Sequence, residues 1–229
     1  MSEGITPRRA LDDERRLIEV ELLDMVNKSV AMFNLAVRSL HQLDTGMARQ
    51  ALGLDDEIDR LDLEIESKCL DILALQQPMG SDLREVGTCL KIITDIERVG
   101  DLSVDISKIT LKIDKELGRS DFVDLPRLAV VVTRMLNESA QMFARKSADG
   151  LDQIGKLEDE VDEMYREFRT QTQEFMVAHP EQVVAASWML LALHHIERVA
   201  DHALNMAERV HFMVTGELRQ IVPDDPDRG

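Results

Sequence analysis

The heptapeptide Asp95-Ile96-Glu97-Arg98-Val99-Gly100-Asp101 returns one hundred residues later as His195-Ile196-Glu197-Arg198-Val199-Ala200-Asp201. A chain that repeats itself at this spacing is constrained to build two similar units, each of ordinary domain size. In both copies an acid is followed four places later by Asp. On a helix that spacing puts the two carboxylates on one face, about 5–6 Å apart at Cβ, where they repel by a few tenths of a kcal/mol unless a cation neutralises them.

The flanking sequence reads as helix throughout. Thr6-Pro7 has the form of an N-cap with proline in the first turn, and Ile18, Leu22, Met25, Ser29, Met32, Ala36 and Leu40 recur at steps of three and four as far as Thr45-Gly46. Leu54, Ile58, Leu61, Ile65 and Ile72 mark a second stripe ending near Gln77-Pro78-Met79-Gly80, and a third helix opens at Ser81 or Asp82, with Glu85 in the capping-box position, and runs to Leu117-Gly118. The second half echoes the first. Met135, Asn137, Ser139, Met142 and Phe143 repeat Met25, Asn27, Ser29, Met32 and Phe33 at an offset of 110, and Leu157 to Asp162 repeats Leu54 to Asp59 at 103. With breaks at Asp149-Gly150, His179-Pro180 and Gly216, the pattern predicts an all-α protein of two tandem antiparallel three-helix bundles, with no convincing strand. The expected partition is 1–117, a linker 118–124, a second bundle 125–216 and a disordered acidic tail 217–229.

Charge narrows the partners. With 27 Lys plus Arg against 44 Asp plus Glu, the formal net charge of −17 disfavours nucleic acid and anionic lipid and favours a cation or a basic protein surface. No apolar run approaches membrane-spanning length and no signal core opens the chain, so a soluble, cytoplasmic protein without direct membrane insertion is expected. Cys69 and Cys89, outside any CxxC pair, read as small buried hydrophobes, and Trp188 and the twelve Met as core.

The acids carry the functional signal. With Ile96 facing the core, Glu97 and Asp101 lie about 100° and 140° around the helix, at the margin of the apolar stripe. Glu197/Asp201, Asp55/Asp59 and Glu158/Asp162 are placed in the same way. Side-by-side packing of the second and third helices of each unit would then gather four carboxylates in a groove, a donor set suited to Mg, Ca, Mn or Fe, with Zn less favoured. A solvated face partnered by Arg60 or Arg98 is the plain alternative for any one pair. His194 and His202 are placed on the helix surface in preference to ligand roles. Glu208-x-x-His211 is the only Glu-x-x-His, where a di-iron enzyme would use two, and the chain has no phosphate loop, nucleophile elbow or zinc-protease motif, so no enzyme is expected.

The doubled six-helix layout, the four acid pairs, the Gln77-Pro78 and Ser81-Asp82-Leu83-Arg84 connection and Ile96-Glu97-Arg98-Val99-Gly100-Asp101 together resemble the PhoU family, the bacterial regulators attached to the high-affinity phosphate transporter, over roughly residues 10 to 216. The resemblance implies a cytoplasmic, commonly dimeric protein of two three-helix bundles with metal clusters on the bundle surface in some members. It implies negative regulation of phosphate uptake and of phosphate-starvation (Pho regulon) signalling, through the ATPase subunit of the phosphate ABC transporter and the membrane sensor histidine kinase of the phosphate two-component system. The family's metal acids fall here on Asp55, Asp59, Glu97, Asp101, Glu158, Asp162, Glu197 and Asp201, for Fe, Mn, Mg or Zn. Two departures, Ala200 for Gly100 and Asn205 for Asp105, leave room for the two sites to differ. The alternatives are a carboxylate-bridged metal oxidoreductase and a metal-free helical scaffold.

Overall fold

A computed structural model describes residues 7–113 and 120–221. Among them are six long helices, α1 (Pro7–Gln42), α3 (Asp55–Gln76), α4 (Ser81–Ile113), α5 (Leu125–Arg145), α6 (Leu151–Ala178) and α7 (Val183–Thr215), with a short α2 (Thr45–Leu52) and a single 3₁₀ turn at Pro180–Gln182. No strand is present among the described residues. Thr6 and the segment 114–119, where the first helix was expected to start and the third to finish, lie outside the described residues.

Helices α1, α3 and α4 pack as one bundle and α5, α6 and α7 as the other. Homologous side chains do the same work in each. Phe33 and Phe143 are both buried, and the Ser29 hydroxyl donates to the Ile96 carbonyl at 3.2 Å as the Ser139 hydroxyl donates to Ala203 at 2.7 Å, each tying a first helix to a third across the core. Buried aliphatic side chains run without interruption through both halves, because α4 lies against α7 and α1 against α5. Trp188, expected in the core, is instead half-buried at this junction, with the Lys112 ammonium 4.1 Å from its ring centroid.

Four local features depart from the sequence expectation. Helix α1 stops three residues before Thr45, because Leu43 turns left-handed (φ 51°) and the Asp44 carboxylate accepts from the amides of Gly46 (2.7 Å) and Met47 (3.0 Å), so that Asp44 caps a separate short α2. Glu85 does not serve a capping box. It is buried, pairs with the Arg15 guanidinium, and accepts from Lys146 Nζ at 2.8 Å, joining α1, α4 and the end of α5; Arg15 also holds Asp82 at 2.7 Å. The described part of the expected linker is packed rather than free: Val123 is buried, and Phe122 stacks on Phe175 with ring centroids 4.1 Å apart.

The tail, too, is ordered for longer than its composition predicts. The Ile221 amide donates to Glu208 at 2.6 Å, Arg219 pairs with Asp152 at 2.6 Å, and the Ile221 side chain fills the notch left by Gly155, where an added Cβ would lie 3.0 Å from Ile221 Cγ2. Residues 217–221 therefore form a strap across α6 and α7, and residues 222–229 lie outside the described residues.

Two outcomes follow. Arg15→Met leaves the buried Glu85 short of a cation and should cost about 3 kcal/mol in urea unfolding, well beyond a surface ion pair. Ile221→Asp should unseat the strap and speed tryptic cleavage after Arg219 several-fold without changing the helical circular dichroism.

Candidate functional site: two carboxylate grooves

The first groove lies where α3 and α4 run antiparallel. Gly100 of α4 faces Ile58 and Asp55 of α3: a Cβ built there would meet Ile58 at 3.5 Å and the Asp55 carboxylate at 3.9 Å. Those are ordinary contacts, so alanine also fits, and a buried Ala200 occupies this place in the second copy. This geometry brings Asp55, Asp59, Glu97 and Asp101 within electrostatic reach of one another. Burial raises the Asp55 carboxyl above its ordinary value, with added repulsion from Asp59, Asp101 and Asp56 and relief from Lys108. Glu97 is raised for the same leading reason and then by Asp101, while Arg98 lowers it. Asp62 joins the row, raised by burial and by Glu66 and Asp59. The spacing Asp59-x-x-Asp62 was the overlooked signal for it. Arg98 partly neutralises this groove, lying 2.8 Å from Asp101 and 3.4 Å from Glu97.

The second groove, between α6 and α7, is drier. Glu158 is 0% exposed and neither of its oxygens has a hydrogen-bond donor. Its carboxyl is pushed up to about 9, first by burial and then by Asp201, Asp162 and Glu197. With Asp201 close by and no donor to offset the charge, the site is relieved when Glu158 carries a proton, which is the state this environment favours. Asp162 is nearly buried, with Arg166 at 3.8 Å, and Glu197 has the His194 ring at 3.3 Å. Tyr165 stands where Asp62 stands in the first half; its hydroxyl is raised by burial and by Glu197. The repeated sequence thus yields two unequal sites, one wet and one largely dehydrated.

The histidines sort themselves by geometry. His202 turns away from the groove and meets Asp95 of α4 at 2.9 Å, both side chains being 16% exposed. That contact links the two halves. His195 is likewise directed toward α4, near Asp105, and burial lowers its imidazole. In Glu208-x-x-His211 the acid is occupied by the Ile221 amide.

A buried carboxylate without an N–H donor is chemically suited to a hard cation; Glu158 is such a group, and Asp162, Glu197 and Asp201 lie within its electrostatic reach. Among the described residues, however, no three His, Cys, Asp or Glu side chains are drawn together into a finished metal cage. The eight acids named from the sequence gather as two sets of four along their grooves without converging on a point.

The proton on Glu158 has a measurable consequence. Its folded-state value lies above the ordinary carboxylate value, so its contribution to stability is fully present below about pH 4.5 and is lost as pH rises toward about 9. Glu158→Gln, which keeps the shape without the charge, should be more stable than the parent at pH 8 in chelator, by up to several kcal/mol, and indistinguishable from it near pH 4.5. Urea denaturation across that range checks it.

Three comparisons agree on what carries these grooves. The family model for the PhoU domain matches the chain twice, at residues 22–110 and 125–210. The phosphate-specific transport system accessory protein PhoU homolog of Deinococcus radiodurans is 30% identical over 209 residues, covering 91% of this chain and 98% of that protein. Its counterpart in Pseudomonas aeruginosa is 31% identical over 194 residues, covering 84% and 78%. Among solved structures, PhoU from Pseudomonas aeruginosa superposes with a TM-score of 0.85 at 29% identity, covering 90% of this chain and 99% of that one. The phosphate transport system regulatory protein PhoU from Streptococcus pneumoniae gives 0.81 at 25% identity, covering 92% and 99%. With its all-α fold and its doubled domain, this chain belongs to the PhoU family.

Proposed function

We propose that this PhoU-family phosphate transport accessory protein acts as a negative regulator, restraining phosphate uptake and keeping phosphate-starvation signalling off when phosphate is ample. It does so by protein contact, with the ATPase subunit of a phosphate ABC transporter and with the membrane sensor histidine kinase of the phosphate two-component system as partners, and works as a cytoplasmic homodimer. The observation that carries the reading is the pair of acidic grooves set in equivalent places on a rigid helical body, in a chain related along nearly its whole length to transport accessory proteins. Exposed aliphatic side chains, Leu17, Val20, Leu63, Leu70 and Leu75 among them, offer α1 and α3 contact surface for other proteins. No helix among the described residues is long and apolar enough to cross a membrane, which fits a protein that meets the transporter from outside the bilayer.

Within this reading the grooves bind metal. Asp55, Asp59, Glu97 and Asp101 would hold it in the first bundle and Glu158, Asp162, Glu197 and Asp201 in the second, with Fe, Mn or Mg preferred to Zn by the oxygen donors. A bound cation would cancel the mutual repulsion of the acids and fix the relative position of the helices that carry them. The first groove also supports a second reading, a metal-free scaffold, since Arg98 already offsets part of its charge.

The test is made in a phosphate-replete host lacking its own PhoU. Wild type should restore low uptake and a silent starvation reporter. Glu97→Gln/Asp101→Asn and Glu197→Gln/Asp201→Asn should each lose metal from one bundle, read by mass spectrometry of protein purified without chelator, and should weaken repression several-fold. Full repression by both variants, with no metal in any of the three proteins, would leave the scaffold reading in its place. Failure of the wild type to repress would overturn the regulatory assignment itself.

A further inference from the structure

We propose that Cys69 on α3 and Cys89 on α4 are a redox-responsive dithiol, which a hydroperoxide converts to an intramolecular disulfide stapling the two helices together. The register of the helix pair places them. Gly100 packs on Ile58, and because the helices are antiparallel, eleven residues along each, from Ile58 to Cys69 and from Gly100 to Cys89, bring the cysteines opposite one another. Both side chains are buried, at 0% and 3% exposure, as are Ile65 and Ile72 on α3 and Val86 and Ile92 on α4. The two thiols lie close enough to act on one another electrostatically. Helices that meet on small side chains have axes about 8–10 Å apart, and with Cα atoms about 2.3 Å off each axis the facing Cα atoms come to roughly 3.5–5.5 Å, overlapping the range a disulfide spans.

The second half of the molecule supplies an internal comparison. By the offsets of the repeat, Thr172 stands for Cys69 and Met189 for Cys89, both buried, and the Thr172 hydroxyl is satisfied by the Phe168 carbonyl at 2.7 Å. Ordinary packing residues therefore suffice at this crossing. The first half alone replaces both with thiols, and they are the two cysteines of the chain.

The chemistry balances with a hydroperoxide as the oxidant. The Cys89 thiolate attacks one peroxide oxygen, the O–O bond breaks, and the departing hydroxide takes up one proton, the one the thiol gave up, so that a sulfenic acid and one water result for hydrogen peroxide. The Cys69 sulfur then attacks the sulfenic sulfur, the S–S bond forms, and the hydroxyl leaves as a second water with the Cys69 proton. In sum, two thiols lose two hydrogens and the peroxide is reduced to two waters. The neighbouring Cys69 thiol, then burial and Glu85, hold the Cys89 thiol in its protonated form, with Lys146 acting against them. The reaction accordingly waits for local opening and responds to sustained oxidant rather than to a brief pulse. The staple would close the α3–α4 hairpin, fixing the helix pair that carries the first acidic groove.

The full-length protein is incubated with hydrogen peroxide, denatured and treated with maleimide. The expected monomer has lost about 2 Da, takes up no maleimide until dithiothreitol is added, yields a Cys69–Cys89 cross-linked peptide, and melts at a higher temperature than the reduced form. Cys69→Ser and Cys89→Ser should each abolish the 2 Da loss. Two maleimide-reactive thiols after oxidation, sulfinic acid at either cysteine without a cross-link, or a disulfide between two chains would each overturn the proposal; because the wild type alone decides among these, the test survives a variant that fails to fold.

Discussion

The structure depends on the packing of α4 against α7. Each is the third helix of its own bundle, so one seam joins the two cores, and a chain that could have made two small domains on a tether makes one continuous interior instead. The small buried residues Gly100, Ser103 and Ser107 on α4 and Ala200, Ala203 and Ala207 on α7 are not what defines it, since Gly100 turns to Ile58 of α3 and the Ala203 carbonyl to Ser139 of α5. The α4 hydroxyls cost nothing in hydrogen bonding, because Ser103 and Ser107 return their protons to carbonyls of their own helix at 2.7 and 2.8 Å. Charged groups flank the apolar contact at several levels: Asp95 with His202, Asp105 near His195, and Lys112 over Trp188. Two antiparallel helices from a repeated sequence present each other with equivalent surfaces, and a self-complementary contact is the economical way to join such halves.

The grooves follow from that arrangement. Since α4 and α7 give one face to each other and another to α3 or α6, acids at the margin of the apolar stripe have nowhere to go but the crease with the neighbouring helix. How far into the crease they go differs. Arg98 and solvent share the charge of the first set, whereas Glu158 is shut in with only other carboxyls for company. Tyr165 in place of Asp62 accounts for part of the asymmetry, replacing a charge by an aromatic ring with a hydroxyl tip.

Much of this was legible in the residues. Helix periodicity, the punctuation at Pro78, Gly150, Pro180 and Gly216, and the acid spacing are all local signals, and local signals are what a single sequence preserves. The placement of the eight acids as two groups of four followed from knowing only which helices are neighbours. What escaped was decided by tertiary partners. Glu85 looked like a capping residue because a capping box and a buried ion pair use the same side chain, and only the distant Arg15 and Lys146 distinguish them. Leu43 gives no hint of a left-handed turn, since leucine rarely adopts one without being forced. The order of residues 217–221 was invisible because their composition is that of a free tail, while the notch at Gly155 lies more than sixty residues away.

Burial sets a rate as well as an equilibrium. A proton on Glu97, a quarter of whose side chain is exposed, exchanges with bulk water across an open rim. One at Glu158 has no water-facing surface to leave by, so its exchange is tied to the separation of α6 from α7 and runs on the slower clock of helix motion. A single repeated motif thereby gives one molecule two response times, a prompt one in the first half and a persistent one in the second.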